Sequence, residues 1–349
     1  MICKECKSCF KGWYKDKPDT YVCIGRPEPT IINDVGAKCM EYGDDWHASI
    51  AGCVMPTHTA PDRPRFIMLV GPPGCGKSTY ASYAQAQNTI VVSSDSIRGE
   101  LFGDESCQDD NNKVFEIMHG RTLEALRHGT SVIYDATNMT RKSRYAILSK
   151  IPDYAVKECV ICWAHIDVCI ARDCLRDRRV GEYVIDKMVK RFEAPFYDEG
   201  FDSILVWISD IHYNKEQYLT DLIAAIDIPH DNPHHTYSVL NHCTACGRAL
   251  VGQGLPKVLV NAGFLHDIGK AYTKTFTNMK GEITDTAHYY GHQAVGAWLS
   301  YGIEGHNVTL AWLISTHMAP FINQKYYNSL PPYYKNWIEK LHQADCAAH

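Results

Sequence analysis

"RFIMLVGPPGCGKSTY", residues 65–80, decides the first part of the fold. Residues 66–70 are an unbroken apolar run, as expected of a strand buried on both faces of a parallel sheet. Glycines and prolines then punctuate the chain, and "KSTYASYAQAQ" continues in helix-compatible residues. The order strand, Gly71-x4-Gly76-Lys77-Ser78, helix is that of a phosphate loop. Backbone N–H groups line such a loop and the helix N-terminus beyond adds partial positive charge, so anionic phosphates settle there. Gly71, Gly74, Gly76, Lys77, Ser78 and Thr79 are therefore the expected ATP contacts. Lys77 would neutralise phosphate charge, and the Ser78 hydroxyl would bind Mg2+.

Downstream segments extend the sheet. "TIVVS" (89–93) leads into "SDSIRGELFG" (94–103), where Asp95 and Arg98 are three apart and share one helix face. In a doubly wound sheet that face lies beside the loop. A carboxylate there can accept the proton of an attacking hydroxyl, and an arginine can hold a phosphate on the acceptor. The same spacing also reads as a charge pair at a helix N-terminus. "TSVIYDATN" (130–138) ends a third strand at Asp135 and Asn138, where ligands collect in such sheets. Arg172, Arg176, Arg178 and Arg179 follow, interleaved with Asp173 and Asp177. A basic cluster beside an ATP site suits a lid that clamps transferring phosphate, although each arginine alone also suits a solvated helix face.

Taken in order, "GPPGCGKST", the Asp-x-x-Arg of "SDSIRGE", "DATN" and "RDCLRDRRV…VIDKMVKRFEAP" resemble phage-type 5′-hydroxyl polynucleotide kinases over residues 66–210. The resemblance implies an α/β phosphate-loop kinase with a parallel sheet and flanking helices. It implies Asp95 as general base, Arg98 on the acceptor's 3′-side phosphate and Arg176 as the lid arginine on ATP. Two positions depart from the family: Arg-Asn is Arg172-Asp173, and Val-Pro is Val180-Gly181. They loosen the placement of Arg178 and Arg179.

The last third has a different composition. Eleven of the seventeen histidines fall between residues 230 and 349. "VLVNAGFLHDIGKA" carries His266-Asp267 in an apolar segment that reads as a helix, and burying such a doublet is costly unless it is paired or metal-bound. Imidazole and carboxylate together suit Mn, Fe, Co or Ni. "PHHTYSVLNHC" and "LHDIGK" resemble the HD phosphohydrolase superfamily over 229–349. That resemblance implies an all-α domain in which His242, His266, Asp267 and Asp345 bind a first divalent metal. It places His292 and His317 at a second metal or the scissile phosphate, and Lys270 near that phosphate. His234, His235 and His288 are left as rim or structural residues.

The start differs again. Fifteen cysteines with no export signal argue for a reducing compartment and for free or metal-bound thiols. Cys3, Cys6, Cys23 and Cys39 resemble the ligands of short zinc modules of phage proteins, and four thiolates suit a tetrahedral structural Zn2+. Cys9 could replace Cys3, since Cys6 and Cys9 repeat the spacing. The expected organisation is a zinc module at 1–45, a Pro-containing linker at 46–64, the kinase domain at 65–228 and the HD domain at 229–349. A formal charge of −5 excludes a global basic field, so contact with RNA or DNA ends must be local. No apolar stretch reaches membrane-span length. The two resemblances imply an enzyme that heals nucleic-acid ends, with a separate ligase as partner and a cytoplasmic location, that of a bacterial host for a phage protein. The alternatives are a small-molecule kinase fused to an HD nucleotidase or nucleotide phosphodiesterase, and a non-catalytic or regulatory HD module, against which the full set of HD ligands argues.

Overall fold

The computed structural model describes residues 63–348 except 86–87, 106, 108, 177, 211–212, 233–235 and 304–306, and the backbone of 9–14, 17–23 and 30–31. The first strands, β1 (Cys9–Tyr14), β2 (Lys17–Cys23) and β3 (Thr30–Ile31), form an antiparallel sheet in the order β1-β2-β3. Cys3, Cys6, Cys39 and the side chain of Cys23 lie outside the described residues, as does most of the linker.

The central region alternates strands and helices: β4 (Arg65–Val70), α1 (Lys77–Ala84), β5 (Thr89–Ser93), α2 (Ser94–Phe102), α3 (Asn111–Arg127), β6 (Ser131–Asp135), α4 (Arg141–Leu148), β7 (Val156–Trp163), α5 (Ile166–Cys174), α6 (Glu182–Val189), β8 (Ser203–Ile208) and α7 (Lys215–Ile226). Five strands form one sheet in the order β5-β6-β4-β7-β8, every pair parallel. The apolar run that opened the sequence reading is thus the central strand, with Phe66 to Val70 all buried. Central placement explains why it does not alternate: both faces are covered by helices. Beyond β6, Asn138 takes a left-handed backbone conformation (φ 49°) and donates from Nδ2 to Leu69 O at 2.7 Å. The fully buried Arg144 donates to Asn138 O at 3.1 Å and pairs with Glu199 at 2.7 Å through both Nε and Nη2. A buried charge is tolerable only when paired in this way, and here it fixes the loop that follows β6.

The last region contains α8 (Val239–Leu250), α9 (Lys257–Leu265), α10 (Lys270–Thr273), β9 (Lys274–Thr277), β10 (Ile283–Tyr289), α11 (His292–Ile303), α12 (Val308–Thr316), α13 (Ala319–Ile322), α14 (Gln324–Ser329) and α15 (Pro332–Ala347). It is helical except for the antiparallel β9–β10 hairpin, a departure from the all-α expectation. α8 packs on α9 and α15, and α11 on α12. Among the described residues, no helix is long and apolar enough to cross a membrane.

The sheet and the helices share one buried core. Trp163 Nε1 donates to Trp298 O at 2.8 Å, and Trp298 Nε1 donates back to Ala164 O at 3.2 Å. The Phe196 and Trp312 rings stack at 4.5 Å. α7 packs against α11, and its Tyr218 hydroxyl donates to Leu299 O at 2.9 Å.

Candidate functional sites

The phosphate loop spans the end of β4 and the start of α1. Gly74 has φ 79°, and a Cβ there would lie 2.2 Å from Cys169 O, so no other residue fits the turn. Gly71 N–H donates to Thr137 O at 3.0 Å, tying the loop to the end of β6. Lys77 Nζ folds over the loop and donates to Gly71 O at 3.0 Å and Pro72 O at 2.9 Å. Burial works against its charge, but Cys75 and Asp135 outweigh it and hold the ammonium above its ordinary range. Burial raises the pKa of Asp135, opposed by Lys77 and Arg176 and reinforced by Asp95. Ser78 and Thr79 are exposed on the first turn of α1, which has no acidic residue in it. The helix N-terminus is open to an anion.

Asp95 and Arg98 do lie on one face of α2, with Arg98 Nη1 2.9 Å from Asp95 Oδ1. Arg98 is buried, bonds Asn111 Oδ1 at 2.8 Å through Nη2, and its Nε has no hydrogen-bond partner. The arginine cluster separates into distinct roles. Arg172 is a tether, donating from Nη1 to Ser209 Oγ at 2.8 Å and Gly74 O at 3.3 Å, and from Nη2 to Ser209 O at 3.0 Å. Arg176 acts electrostatically on Asp135. Arg178 reaches Asp95 Oδ1 at 3.4 Å. The unusual Asp173 is buried and accepts from Val180 N at 2.9 Å and Gly181 N at 2.8 Å. It thereby cinches the loop that carries Arg176 and Arg178. The second departure, Gly181, has φ 93°, which a proline cannot adopt.

The second centre lies in the helical region. His242 comes from α8 and Asp345 from α15. The His266-Asp267 doublet does not sit inside a helix: α9 ends at Leu265, and the doublet occupies the turn before α10. Gly269 makes that turn possible. A Cβ there would lie 2.0 Å from His292 O, so only glycine lets the turn press against the start of α11. The ligand-type atoms of His242, His266, Asp267 and Asp345 all lie within 4.8 Å of one another, and Asp267, His292 and His317 form a second such group. Asp267 belongs to both, with Oδ2 3.3 Å from His266 Nε2 and Oδ1 3.3 Å from His292 Nε2.

The imidazoles are oriented from behind. Nδ1 of His242, His266, His292 and His317 lies 3.0, 3.0, 2.9 and 2.7 Å from the carbonyls of Ala348, Gly263, Tyr289 and Ile314. A carbonyl only accepts, so each Nδ1 carries a proton and each Nε2 is turned inward. His242 and His266 then face each other at 3.2 Å, and His292 and His317 at 3.3 Å. A bound cation, or a proton held between the facing nitrogens, offsets their mutual repulsion. This donor set, with its carbonyl backing, suits a metal ion.

Charge is strongly organised here. Burial opposes a charge on His266, yet Asp267 outweighs it and lifts the pKa well above the ordinary value. Burial likewise works against the Asp267 carboxylate, but Lys270 and His266 hold it well below the usual range. Burial takes His317 down to about 3. Lys270 pairs with Asp267 Oδ2 at 2.6 Å. It also lies 3.2 Å from Nε2 of His230, a fully enclosed residue that sequence reasoning missed. His230 Nδ1 is 2.7 Å from Tyr237 O, and the Lys270 ammonium stands 5.4 Å from the Tyr289 ring centroid. Neither His230 nor Tyr289 belongs to a motif. His288 lies on β10 stacked with Tyr290, while His234 and His235 fall outside the described residues.

A family described as an AAA domain matches residues 66–195. The chain is 30% identical over 173 residues to transcription factor bHLH140 of Arabidopsis thaliana, covering 46% of this chain and 18% of that protein. It thus spans under a fifth of that relative's length. Among solved structures, a chain of the Pnkp1/Rnl/Hen1 RNA repair complex is 24% identical, with 38% of this chain and 45% of that chain covered at a TM-score of 0.35. A gluconokinase from Sinorhizobium meliloti is 18% identical, with 42% and 82% covered at a TM-score of 0.31. The parallel sheet, the phosphate loop and the matching family establish an α/β phosphate-loop domain.

Proposed function

We propose that this protein is a bifunctional nucleic-acid end-healing enzyme. It phosphorylates 5′-hydroxyl polynucleotide ends with ATP and removes a 3′ or 2′,3′-cyclic phosphate, in RNA repair completed by a separate ligase. The observation that carries this reading is the presence, in one packed molecule, of a phosphate loop with its carboxylate–arginine pair and of a carbonyl-backed His/Asp centre.

In the kinase, ATP's phosphates lie in the loop of residues 71–78, against the Lys77 ammonium and the N-terminus of α1. Mg2+ on the Ser78 hydroxyl would lower charge on the transferring group. Asp95 takes the proton of the acceptor 5′-hydroxyl as its oxygen bonds the γ-phosphorus and the bond to the β–γ bridging oxygen breaks. Arg176 stabilises charge on the group in flight and Arg98 grips the acceptor. In the helical centre, His242, His266, Asp267 and Asp345 would hold a metal, with His292 and His317 adjoining. When bound, such a cation would supply Lewis-acid activation of a phosphoester and of water. Lys270 places a positive charge beside the phosphate, and His230 orients Lys270. In this reading residues 65–228 are the kinase domain and 229–349 the HD phosphohydrolase domain. Cys3, Cys6, Cys23 and Cys39 staple residues 1–45 around Zn2+, with residues 46–64 as linker, and the protein works in a reducing cytoplasm.

Incubation with ATP, a panel of divalent metals and an RNA oligomer bearing a 5′-hydroxyl and a 3′-phosphate tests the proposal. Both ends should be remade, the 3′ end best with Mn, Ni or Co. Nucleosides phosphorylated as well as oligomers would favour a small-molecule kinase. Free nucleotides hydrolysed while terminal phosphates stay intact would favour a nucleotidase.

A further inference from the structure

The helical centre opens to solvent on one side. Among its donors, the Asp345 side chain is 24% exposed and that of His292 12%, whereas His242, His266, Asp267 and His317 are almost fully covered. A substrate therefore reaches the donors past Asp345. Two aromatic side chains stand beside that opening, and neither has a role in the reading above. His342 lies three residues before Asp345 on α15, so the two share one helix face. Phe321, on α13, lies four residues beyond His317 at the end of α12. Their rings meet edge to face, with centroids 4.9 Å apart and planes at 67°. Cys346 Sγ lies 3.5 Å from His342 Nε2 and steadies the imidazole. Phe321 is nevertheless 60% exposed, and Ile322 beside it 61%. Large apolar side chains left open together at the rim of a polar centre suit a ligand with an apolar face. We infer that Phe321 and His342 form a shelf on which the base of a terminal nucleotide stacks while its 3′ phosphate lies at the His/Asp centre.

Dimensions and chemistry both favour a nucleobase. Each shelf residue is one helical turn, about 5 Å, along the chain from a donor, and only a ribose separates a base from its 3′ phosphate. Lys270, paired with Asp267 Oδ2 at 2.6 Å, puts positive charge at the phosphate end. The charged and the flat apolar ends of one nucleotide thus meet the charged and the aromatic ends of the site. Stacking on a ring needs a π face and no particular base edge, so it is tolerant of sequence. That tolerance suits strand ends of arbitrary sequence. The shelf therefore selects nucleotidyl phosphates over small phosphomonoesters without choosing among bases. The inference rests on the phosphatase reading and deepens its substrate class.

The test uses the full chain with added Mn2+ and compares uridine 3′-monophosphate with glycerol 2-phosphate, a secondary phosphomonoester without a base. The parent should prefer the nucleotide. Phe321→Ala should shrink that preference about tenfold, the value of stacking one base on one ring, through KM for uridine 3′-monophosphate. Phe321→Trp should keep it. Turnover of glycerol 2-phosphate, with no base to stack, should change less than about twofold in Phe321→Ala, below the value of a stacking contact. Irradiation of the metal-free protein with 5-iodouridine 3′-monophosphate should cross-link Phe321 or His342, read by peptide mass spectrometry. A parent without preference, or a preference unchanged in Phe321→Ala, overturns the shelf alone. Equal losses on both substrates assign Phe321 to support of the donors and also overturn it, as does the absence of a cross-link at both residues. A parent protein that releases phosphate from neither compound overturns the phosphatase reading and the shelf with it.

Discussion

The two candidate centres of this molecule are built in opposite ways. The sheet region relies on backbone: a glycine-shaped loop, a helix N-terminus and one lysine within residues 71–78. The helical region relies on side chains brought from five places, α8, the end of α9, α11, the end of α12 and α15. The backbone centre needs one contiguous stretch to be right. The side-chain centre needs the whole helical packing to be right, because its donors run from His242 to Asp345 in sequence and meet in two groups, each within 4.8 Å. Fusion of the two is physical as well as covalent. The paired tryptophans and the stacked Phe196–Trp312 rings bury their junction, and a Cβ on Gly291, next to His292, would lie 2.6 Å from Lys190 O at the end of α6.

That junction is where the two regions depend on each other. Trp298→Ala removes a fully buried indole and its bond to Ala164 O, and should destabilise the protein by about 3–5 kcal/mol. Denaturant unfolding should show one transition for the parent protein and a lower midpoint for the variant. Two resolved transitions in the parent would mean the regions fold independently.

Asp173→Ala frees the α5–α6 loop from Val180 and Gly181 and should cut 5′-phosphorylation by about tenfold, the value of a charged hydrogen bond. The 3′-phosphatase rate should stay within about twofold, far below that charged-bond effect, because Asp173 accepts its hydrogen bonds from Val180 and Gly181 in its own loop. Equal losses at both ends would make the loop part of a shared site.

Much of this was legible in sequence, for unequal reasons. The loop at 71–78 was readable because its chemistry is local: strand, glycine turn, lysine and helix follow one another. The Asp95–Arg98 pair followed from helical spacing. The His/Asp donors could be named through resemblance, but spacing said nothing of their meeting. The doublet's position was misjudged, because apolar flanks suggest a helix whereas Gly269 lets the chain turn there against α11. His230 carried no signal, since its partner Lys270 is forty residues away. Arg172 read as lid and proved to be a tether, because Ser209 comes from beyond β8.

The central claim is that two independent chemistries share one packed chain. The measurement that tests it most directly follows both ends of a 5′-hydroxyl, 3′-phosphate RNA oligomer in Lys77→Ala and Asp267→Ala proteins shown to be folded. Lys77→Ala should lose 5′-phosphorylation by at least about a hundredfold and keep 3′-phosphate removal. Asp267→Ala, which removes the carboxylate common to both donor groups, should do the reverse. Removal of the 3′ phosphate at the parental rate by Asp267→Ala, or loss of both activities in either variant, would contradict the account.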